Sequence, residues 1–232
     1  MIFDFAGGEL LLIDKSLEWT SFDAVNKVRR IISRQIHTKL KVGHAGTLDP
    51  KATGLLLICT GSRTKKINDL MGLEKEYTGT FILGATRPSF DMETDVDKTF
   101  ETAHITAEMI HEAAKKFTGT QQQVPPQFSA KLVDGKRAYL SARKNQEVKI
   151  EPVTITINDF EITGIAMPEV SFRVVCSKGT YIRALARDFG EALDSGAYLA
   201  SLRRTRIGQY SVQDALTVAQ FETMIAEISS NS

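Results

Sequence analysis

A carboxylate placed among turn-forming residues is the first feature of the sequence that could do chemistry. Asp49 precedes Pro50 within residues 41–54, KVGHAGTLDPKATG, a segment that contains three glycines. Glycine permits tight turns and close approach of the backbone to a ligand, and a proline biases the residue before it towards an extended conformation. We therefore expect a shaped loop with Asp49 as its reactive group, although Asp-Pro and glycine-rich segments also form ordinary turns.

The residues after this loop predict a strand that anchors it, and the residues before it predict a strand and a helix. The apolar run LLLIC at residues 55–59 predicts a buried strand immediately after the loop. A strand from Glu9 to Asp14 precedes a helix for which Ser21 is the expected N-cap. The apolar stripe of that helix consists of Phe22, Val25, Val28 and Ile32.

Apolar patterns along the rest of the chain define the fold class. Alternation predicts strands at 77–83, 153–157, 170–176 and 203–210. A helical stripe predicts a helix from Thr106 to Phe117, with Met109 facing inward and Gly119 ending it. Similar stripes predict helices at 182–193 and 218–228. Strands interleaved with helices, several joined by short turns, indicate a mixed-sheet α/β or α+β domain.

Length and composition are those of an ordinary globular protein. The chain has 232 residues, of which 42% are hydrophobic and 25% charged, which excludes a disordered or fibrous protein. We expect one domain over residues 1–232, with an excursion from the core at about 121–151 that turns at Asp134-Gly135. The sequence contains neither a secretory signal nor an apolar run of membrane-spanning length, which favours the cytoplasm. Cys59 and Cys176 are expected to be buried free thiols.

Basic residues are concentrated in two parts of a chain whose net charge is only +1. Residues 24–48 contain six lysines or arginines and no acid, and Arg203, Arg204 and Arg206 form a second cluster. If the fold brings the two segments together, they form a basic face of the kind that binds nucleic acid. The alternative is a solvated helix face with an unrelated basic loop.

Several common catalytic and ligand-binding motifs are missing from the sequence. It contains no G-x-x-x-x-G-K-[ST] phosphate loop, no G-x-G-x-x-G dinucleotide turn and no G-x-S-x-G turn of serine hydrolases. The four histidines do not combine with cysteines or acids at the spacing of a zinc site. Alternating acids at 91–97 fail as a calcium loop, because Val96 replaces the required glycine and Thr102 the required glutamate.

A glycine-containing turn, SKGT at residues 177–180, precedes the predicted helix at 182–193. The free N–H groups of a helix N-terminus and the charge of Lys178 would suit a phosphate. Such junctions occur wherever a strand meets a helix, so this signal is weak by itself.

Residues 43–56, GHAGTLDPKATGLL, closely resemble the catalytic motif of the TruB family of tRNA pseudouridine synthases, whose pattern is near G-H-x-G-x-L-D-P-x-A-T-G. Further blocks match this family in the same order: LLIDK at 11–15, KEY at 75–77, PPQFSAK at 125–131, GKRAY at 135–139, CSKGTYIR at 176–183 and LRR at 202–204. The resemblance covers nearly the whole chain. It implies a pseudouridine-synthase fold, in which helices flank a mixed, largely antiparallel central sheet with an RNA-binding cleft.

The resemblance also implies roles for individual residues. Asp49 would be the catalytic aspartate in the exchange of the C1′–N1 glycosidic bond of uridine for a C1′–C5 bond. Tyr77 matches the aromatic residue that packs on the flipped base, and Arg183 matches the arginine that pairs with the aspartate; both are counted with Asp49 as catalytic. The substrate-binding residues it implies are His44, Tyr77, Tyr181, Leu202, Lys178 and Lys15. For each of these, an ordinary structural role is the alternative.

The implied substrate is the uridine at position 55 in the TΨC loop of tRNA, bound through the T-arm by a monomer that needs no metal, organic cofactor or obligate protein partner. A non-catalytic tRNA-folding chaperone is the alternative. The sequence departs from the family at Ala45 and Thr47, which replace its commoner Thr and Ala, and at Ser16, which replaces a common proline. Four residues follow the predicted helix at 218–228, so we expect no C-terminal RNA-binding module of the PUA type.

Overall fold

A computed structural model of this chain describes residues 3–129, 132–133, 136–137 and 148–230. The chain divides into two units. The first comprises Met1–Tyr77 and Arg203–Ser232, and the second comprises Thr78–Leu202. None of the helices within the described ranges is long and apolar enough to cross a membrane.

Strands are distributed over the whole chain and are numbered in chain order. They are β1 (Leu10–Lys15), β2 (Val42–Ala45), β3 (Ala52–Thr60), β4 (Lys75–Leu83), β5 (Ala85–Thr86), β6 (Lys98–Thr99), β7 (Gly119–Gln123), β8 (Leu132–Val133), β9 (Lys136–Arg137), β10 (Val153–Ala166), β11 (Glu169–Cys176), β12 (Ala197–Ile207), β13 (Tyr210–Ser211) and β14 (Leu216–Thr217).

The described α-helices lie between these strands and at the C-terminal end of the chain. They are α1 (Ser21–Ile36), α2 (Ile67–Gly72), α3 (Ala107–Phe117), α4 (Ile182–Glu191) and α5 (Val218–Ser230). Short 3₁₀ helices cover Gly61–Lys66 and Val212–Asp214.

The first unit is built around β3. Neighbouring strands follow the order β14-β1-β3-β12, with β1 parallel to β14 and antiparallel to β3. Leu56 and Ile58 of β3 belong to a hydrophobic cluster with residues of α1 and α5, while Leu55 and Leu57 belong to a second cluster. A strand buried on both faces has a continuous apolar sequence, which is why residues 55–59 predict it correctly.

The second unit contains strands in the order β4-β11-β10-β7, with β10 antiparallel to both of its neighbours. Its core includes stacked phenylalanines: the ring centroids of Phe81 and Phe172 lie 4.2 Å apart. Phe189 of α4 lies 5.4 Å from Phe81 and 5.7 Å from Phe160. Aromatic pairs of this kind contribute about 0.5–1.5 kcal/mol beyond the area they bury. They hold α4 against the sheet.

The predicted mixed, largely antiparallel sheet with flanking helices is confirmed, but the predicted start of α1 is wrong. Thr20 is the N-cap, and it forms a capping box with Asp23. Ser21 is instead the first helical residue and is buried. Phe22 was expected on the inner face but is 62% exposed, because the buried stripe runs through Ser21, Ala24, Val25 and Val28.

Predictions for the second unit are also corrected in places. Thr106 caps α3 as expected, but Met109 is 36% exposed, and the buried side of the helix is formed by Ile110, Ala113 and Ala114. Gly119 does not end α3: Thr118 is the C-cap, and Gly119 is the first residue of β7. Cys59 and Cys176 are buried and free, as predicted.

The predicted excursion at about 121–151 lies partly outside the described residues. Residues 121–123 are not part of an excursion, because they pair with β10 as the end of β7. Strands β8 and β9 pair antiparallel, as a hairpin requires. Asp134 and Gly135, where the turn was predicted, lie outside the described residues.

Gly54 should tolerate no side chain. Its φ is +105°, and a Cβ there would lie 2.3 Å from the carbonyl oxygen of Arg204. Gly119 is a matched control, because its φ is +110° and no atom lies within 4 Å of the corresponding Cβ position. We expect Gly119→Ala to cost about 1–3 kcal/mol of unfolding free energy from backbone strain. Gly54→Ala should cost about 1–3 kcal/mol more.

Urea denaturation of the two variants measures this difference. Equal losses of unfolding free energy would show that the backbone beside Gly54 can move away, and would contradict the prediction.

Candidate active site

Asp49 lies in the loop that connects β2 to β3. β2 ends at Ala45, Gly46 follows with a φ of +94°, and β3 begins at Ala52. The Asp49 carbonyl accepts a hydrogen bond from Ala52 N–H at 3.0 Å, which closes a turn around Pro50. Asp49 itself is half-buried. The predicted shaped loop is therefore present.

Residues at and just before the start of α1 hold this loop on both sides of Asp49. The buried Ser21 hydroxyl accepts from Leu48 N–H at 2.8 Å and donates to the Leu48 carbonyl at 3.1 Å. Beyond Asp49, the Pro50 carbonyl accepts from Glu18 N–H at 2.9 Å. Because Leu48 and Pro50 are both hydrogen-bonded to residues 18–21, the backbone that carries the Asp49 side chain is held in place.

Arg204 of β12 supports the same loop from within the first unit. Its side chain donates from Nε to the Leu55 carbonyl at 2.8 Å, and its two terminal nitrogens donate to the carbonyls of Gly46 at 3.0 Å and Thr47 at 3.4 Å. Arg204 is 1% exposed. A buried guanidinium needs such acceptors, since an unbonded buried charge is very costly.

Lys15 ends β1 opposite Gly54 of β3 and is fully buried. Its Nζ donates to the carbonyls of Ser16 at 3.0 Å and Trp19 at 2.6 Å. Burial lowers the pKa of Lys15 from 10.5 to about 8, and the Arg204 guanidinium adds to this decrease. The Asp49 carboxylate is the strongest influence in the opposite direction. Lys15 and Asp49 are thus electrostatic neighbours.

His44 lies on β2, opposite Ile58 of β3, and is half-buried. Burial holds the pKa of His44 below its usual 6.5, while a hydrogen bond to the backbone of Gly46 partly offsets this effect. The imidazole is therefore mainly neutral at pH 7. Within the described part of the chain, its Nδ1 is buried and has no hydrogen-bond partner.

Tyr77 lies on β4 in the first unit and is 9% exposed. The residues before it are firmly held. Lys75 Nζ donates to the carbonyls of Met71 and Leu73, both at 2.6 Å, and the Glu76 carboxylate accepts from Thr205 Oγ1 at 2.8 Å. These contacts fix the backbone from which the Tyr77 ring projects.

In the second unit, Arg183 occupies the first turn of α4 and is 5% exposed. Its terminal nitrogens donate to the carbonyls of Ser89 at 3.2 Å and Phe128 at 2.9 Å. Its Nε lies 3.6 Å from Oδ2 of Asp91, which is also buried. Arg183 is therefore a buried side chain with an acidic neighbour.

Asp91 is a candidate site residue that was not predicted. It is the first residue of the acidic stretch at 91–97, which was considered only as a calcium loop and rejected as one. Its Oδ1 accepts from Glu93 N–H at 2.9 Å, and the residue forms a parallel bridge with Leu199. An acid held rigidly beside a buried arginine orients that arginine, as long as the ion pair is hydrogen-bonded on its other sides.

Tyr181 is the N-cap residue of α4, and its backbone is bonded to the side chain of Gln123. Lys178 is exposed and precedes the helix by four positions, with Gly179 at a φ of +82°. The Tyr181 N–H is bonded within the protein, and Lys178 lies before the first helical turn. The phosphate contact of Lys178 stays a prediction.

The predicted site residues are distributed between the two units. Those in the first unit are Lys15, His44, Asp49 and Tyr77, and those in the second are Lys178, Tyr181, Arg183 and Leu202. Leu202 is a half-buried residue of β12. Lys15 and Asp49 lie near each other, as do Tyr181 and Arg183. The pairing of Asp49 with Arg183 stays a prediction.

The late arginines do not form the free basic cluster that was considered. Arg203 pairs with Asp14 at 2.6 Å, Arg206 pairs with Glu74 at 3.1 Å, and Arg204 is buried. The acidic partners of Arg203 and Arg206 lie far away in the sequence, so the number of arginines in this segment does not give its net charge in the folded protein. The exposed basic side chains around the end of α1 are Arg30, Arg34, Lys39 and Lys41.

Family models and related proteins agree with this architecture. Residues 30–182 match the N-terminal domain of the TruB family pseudouridylate synthases, and residues 183–231 match the C-terminal domain of tRNA pseudouridylate synthase B. The chain belongs to the TruB family. The family resemblance noted in the sequence is thereby confirmed.

Two curated TruB-family relatives are similar over more than nine-tenths of their length. The tRNA pseudouridine synthase B of Flavobacterium johnsoniae is 56% identical over 221 residues, which is 94% of this chain and 96% of the relative. The protein of the same name from Phocaeicola vulgatus is 53% identical over 219 residues, 94% of this chain and 93% of the relative.

Among solved structures, a chain of a Cbf5-Nop10-Gar1 complex has a TM-score of 0.69 and 26% identity. A second, from an archaeal box H/ACA sRNP Nop10-Cbf5 complex, has a TM-score of 0.67 and 26% identity. They cover 94% and 95% of this chain, and the chain spans about half (54%) of each of them. The predicted fold class is confirmed.

The described residues contain no group of three or more His, Cys, Asp or Glu side chains that could hold a metal ion. The candidate site residues carry carboxylate, guanidinium, amine, imidazole and phenol groups. They lie in two hydrogen-bonded settings, one around Asp49 and one around Arg183.

The buried Lys15 should make stability depend on pH in a defined direction. Its pKa is about 8 in the folded chain and 10.5 ordinarily. Between these values the unfolded chain binds more protons than the folded chain, so the unfolding free energy rises with pH. Relative to Lys15→Met, the wild type should gain at most about 1.4 kcal/mol per pH unit in this window.

Urea unfolding of both proteins across the two pKa values measures the difference. Subtracting the Lys15→Met curve removes the other titrating groups. Parallel curves would show that the amine titrates alike in both states and would overturn the assignment.

Proposed function

We propose that this chain isomerises uridine to pseudouridine in tRNA, at position 55 of the TΨC loop. The observation that carries the proposal is its 56% identity, over 94% of its length, to a protein named tRNA pseudouridine synthase B. The positioned Asp49 loop supports the same conclusion, since it offers a carboxylate on a rigid support.

The reaction is an isomerisation, so uridine and pseudouridine contain the same atoms. The C1′–N1 bond breaks, the uracil turns, and a bond forms between C1′ and C5. N1 gains a proton and C5 loses one, so the site needs a group that stabilises the detached ring or sugar and a group that moves the C5 proton. Asp49 is our proposed catalytic group for this exchange, because its loop is anchored on both sides by Leu48 and Pro50.

A uridine inside a folded RNA loop must leave its stack before Asp49 can reach it, at a cost of a few kcal/mol. We assign Tyr77 to stack on the extruded base, an interaction typically worth about 1–3 kcal/mol. His44, which is half-buried and mainly neutral, would contact the extruded nucleotides without adding charge. Lys15 would contribute a buried amine near Asp49.

The second unit supplies the other proposed groups. Arg183, oriented by Asp91 and two carbonyls, is our candidate for the cation that pairs with Asp49. Tyr181 and Leu202 would contact the substrate, and Lys178 is exposed and available to a phosphate.

We also propose that the chain acts as a cytoplasmic monomer on the tRNA T-arm, as a single catalytic domain without an obligate protein partner. The solved Cbf5 structures are titled as complexes with Nop10, and one of them also with Gar1. Size-exclusion chromatography with light scattering, run together with the activity assay, tests the monomer.

Asp49→Asn should abolish isomerisation while preserving RNA binding. The amide has the same shape but no negative charge, so the loss should be about 10²–10⁴-fold in the single-turnover rate. The measurement is the pseudouridine content of a T-arm RNA after incubation with each protein. A near wild-type rate for this variant would remove Asp49 from the catalytic role.

The same assay separates catalysis from the chaperone alternative. A chaperone would promote tRNA folding without forming pseudouridine, and Asp49→Asn would leave that folding unchanged. Inactive wild-type protein that still promotes folding of tRNA would overturn the enzyme proposal.

Lys178→Gln should weaken RNA binding and reduce the slope of log K against log salt by about one unit, as expected for one lost phosphate contact. Lys116→Gln is the control, because Lys116 is an exposed lysine on α3 of the same unit. Binding titrations at several salt concentrations give the slopes. If the two variants have the wild-type slope, Lys178 does not contact a phosphate.

A further inference from the structure

The side chain of Gln123 forms two hydrogen bonds with the backbone of Tyr181, which lies 58 residues further along the sequence. Tyr181 N–H donates to Gln123 Oε1 at 2.9 Å, and Gln123 Nε2 donates to the Tyr181 carbonyl at 3.2 Å. Gln123 is 2% exposed and ends β7. One buried amide thus bonds to both the N–H and the carbonyl of Tyr181, and the carbonyl also accepts the helix hydrogen bond from Leu185 N–H at 3.0 Å.

The Tyr181 position is where α4 begins. Tyr181 is the N-cap residue, and its side chain makes no capping hydrogen bond. N-cap residues ordinarily use a short polar side chain to set the first turn. Here the first turn instead depends on a side chain from another strand, and Arg183 lies two residues further along in that turn.

The chain that follows Gln123 contacts α4 at two more points. The Val124 carbonyl accepts from Arg187 at 3.2 Å, and the Phe128 carbonyl accepts from Arg183 at 2.9 Å. Residues 123–128 therefore run beside the helix and bond to its start and to Arg183. A shift of Tyr181 would misalign Arg183 with both the Phe128 carbonyl and Asp91.

We propose that Gln123 is a positioning residue for the reaction: it sets the start of α4 and thereby the orientation of the Arg183 guanidinium. This rests on the proposed function, in which Arg183 pairs with the reacting aspartate. Gln123 touches neither substrate nor reacting atoms. Its effect acts through Tyr181 and Arg183, so it should lower the rate of the chemical step and leave RNA affinity nearly unchanged.

Gln123→Met tests this inference, because methionine has a similar length and makes neither hydrogen bond. We expect the single-turnover rate of pseudouridine formation to fall about 10- to 100-fold, as for a small misplacement of a catalytic group. The dissociation constant for the T-arm RNA should stay within about threefold. Gln122→Met is the matched control: its neighbouring amide makes an exposed bond to Thr154, and its rate should equal that of wild type.

Gln123→Glu is a second test of the two hydrogen bonds. It keeps an acceptor for the Tyr181 N–H, but its carboxylate places a second oxygen against the Tyr181 carbonyl, so its rate should fall at least as far as that of Gln123→Met. Thermal unfolding of each variant reports whether the protein is folded at the assay temperature. A wild-type rate in Gln123→Met, or a rate loss matched by weaker RNA binding, would overturn the inference.

The Arg183 side chain can be observed without any activity assay. In a ¹⁵N correlation spectrum, the Nε–H signal of Arg183 is identified by its loss in Arg183→Lys. It should shift or broaden in Gln123→Met and stay in place in Gln122→Met. An unchanged signal in Gln123→Met overturns the positioning role even if the wild type is active. If the wild type is inactive but the signal still shifts in Gln123→Met, the proposed function is wrong, while the positioning of Arg183 by Gln123 stands.

Discussion

The loop that carries Asp49 depends on the hydrogen bonds of the buried Arg204 guanidinium. Arg204 is 1% exposed and bonds to the carbonyls of Leu55, Gly46 and Thr47. A charge in such a place is tolerated only when its donors are satisfied, so the carbonyls must stay where they are. The Arg204 backbone in turn lies against Gly54, where no Cβ fits. The loop of Asp49 and the strand β12 therefore hold each other in position.

Both units use the same physical device at their candidate catalytic residue. A nearly buried arginine donates to backbone carbonyls and so converts a flexible side chain into part of the framework: Arg204 holds the loop of Asp49, and Arg183 is held by Ser89, Phe128 and Asp91. Preorganised charges of this kind act strongly on developing charge, because they need not reorganise during the reaction. Each unit therefore holds its candidate catalytic residue on a rigid, hydrogen-bonded support.

Local sequence patterns predicted which segments form helices and strands better than they predicted the residues at which these begin and end. The apolar run 55–59, the helix after Thr106 and the buried cysteines follow directly from hydrophobicity and capping. Phe22 and Met109 were misplaced because a residue at the edge of a helical stripe can face either way, and the neighbouring strands decide which. Gly119 satisfied a helix-stop pattern but is the first residue of a strand, because pairing with β10 outweighs the local preference.

By itself, the sequence determined the family and most of the helices and strands, and it predicted a shaped loop around Asp49, because glycine, proline and apolar spacing act locally and the motif blocks occur in a fixed order. Only the tertiary structure decided which polar groups meet. Ser21 reaches Leu48 across 27 residues, Gln123 reaches Tyr181 across 58, and Arg204 reaches Leu55 across 149. Hydrogen bonds between a side chain and a distant backbone group are short and directional and follow no sequence period, so partners this far apart become apparent only once the chain is folded.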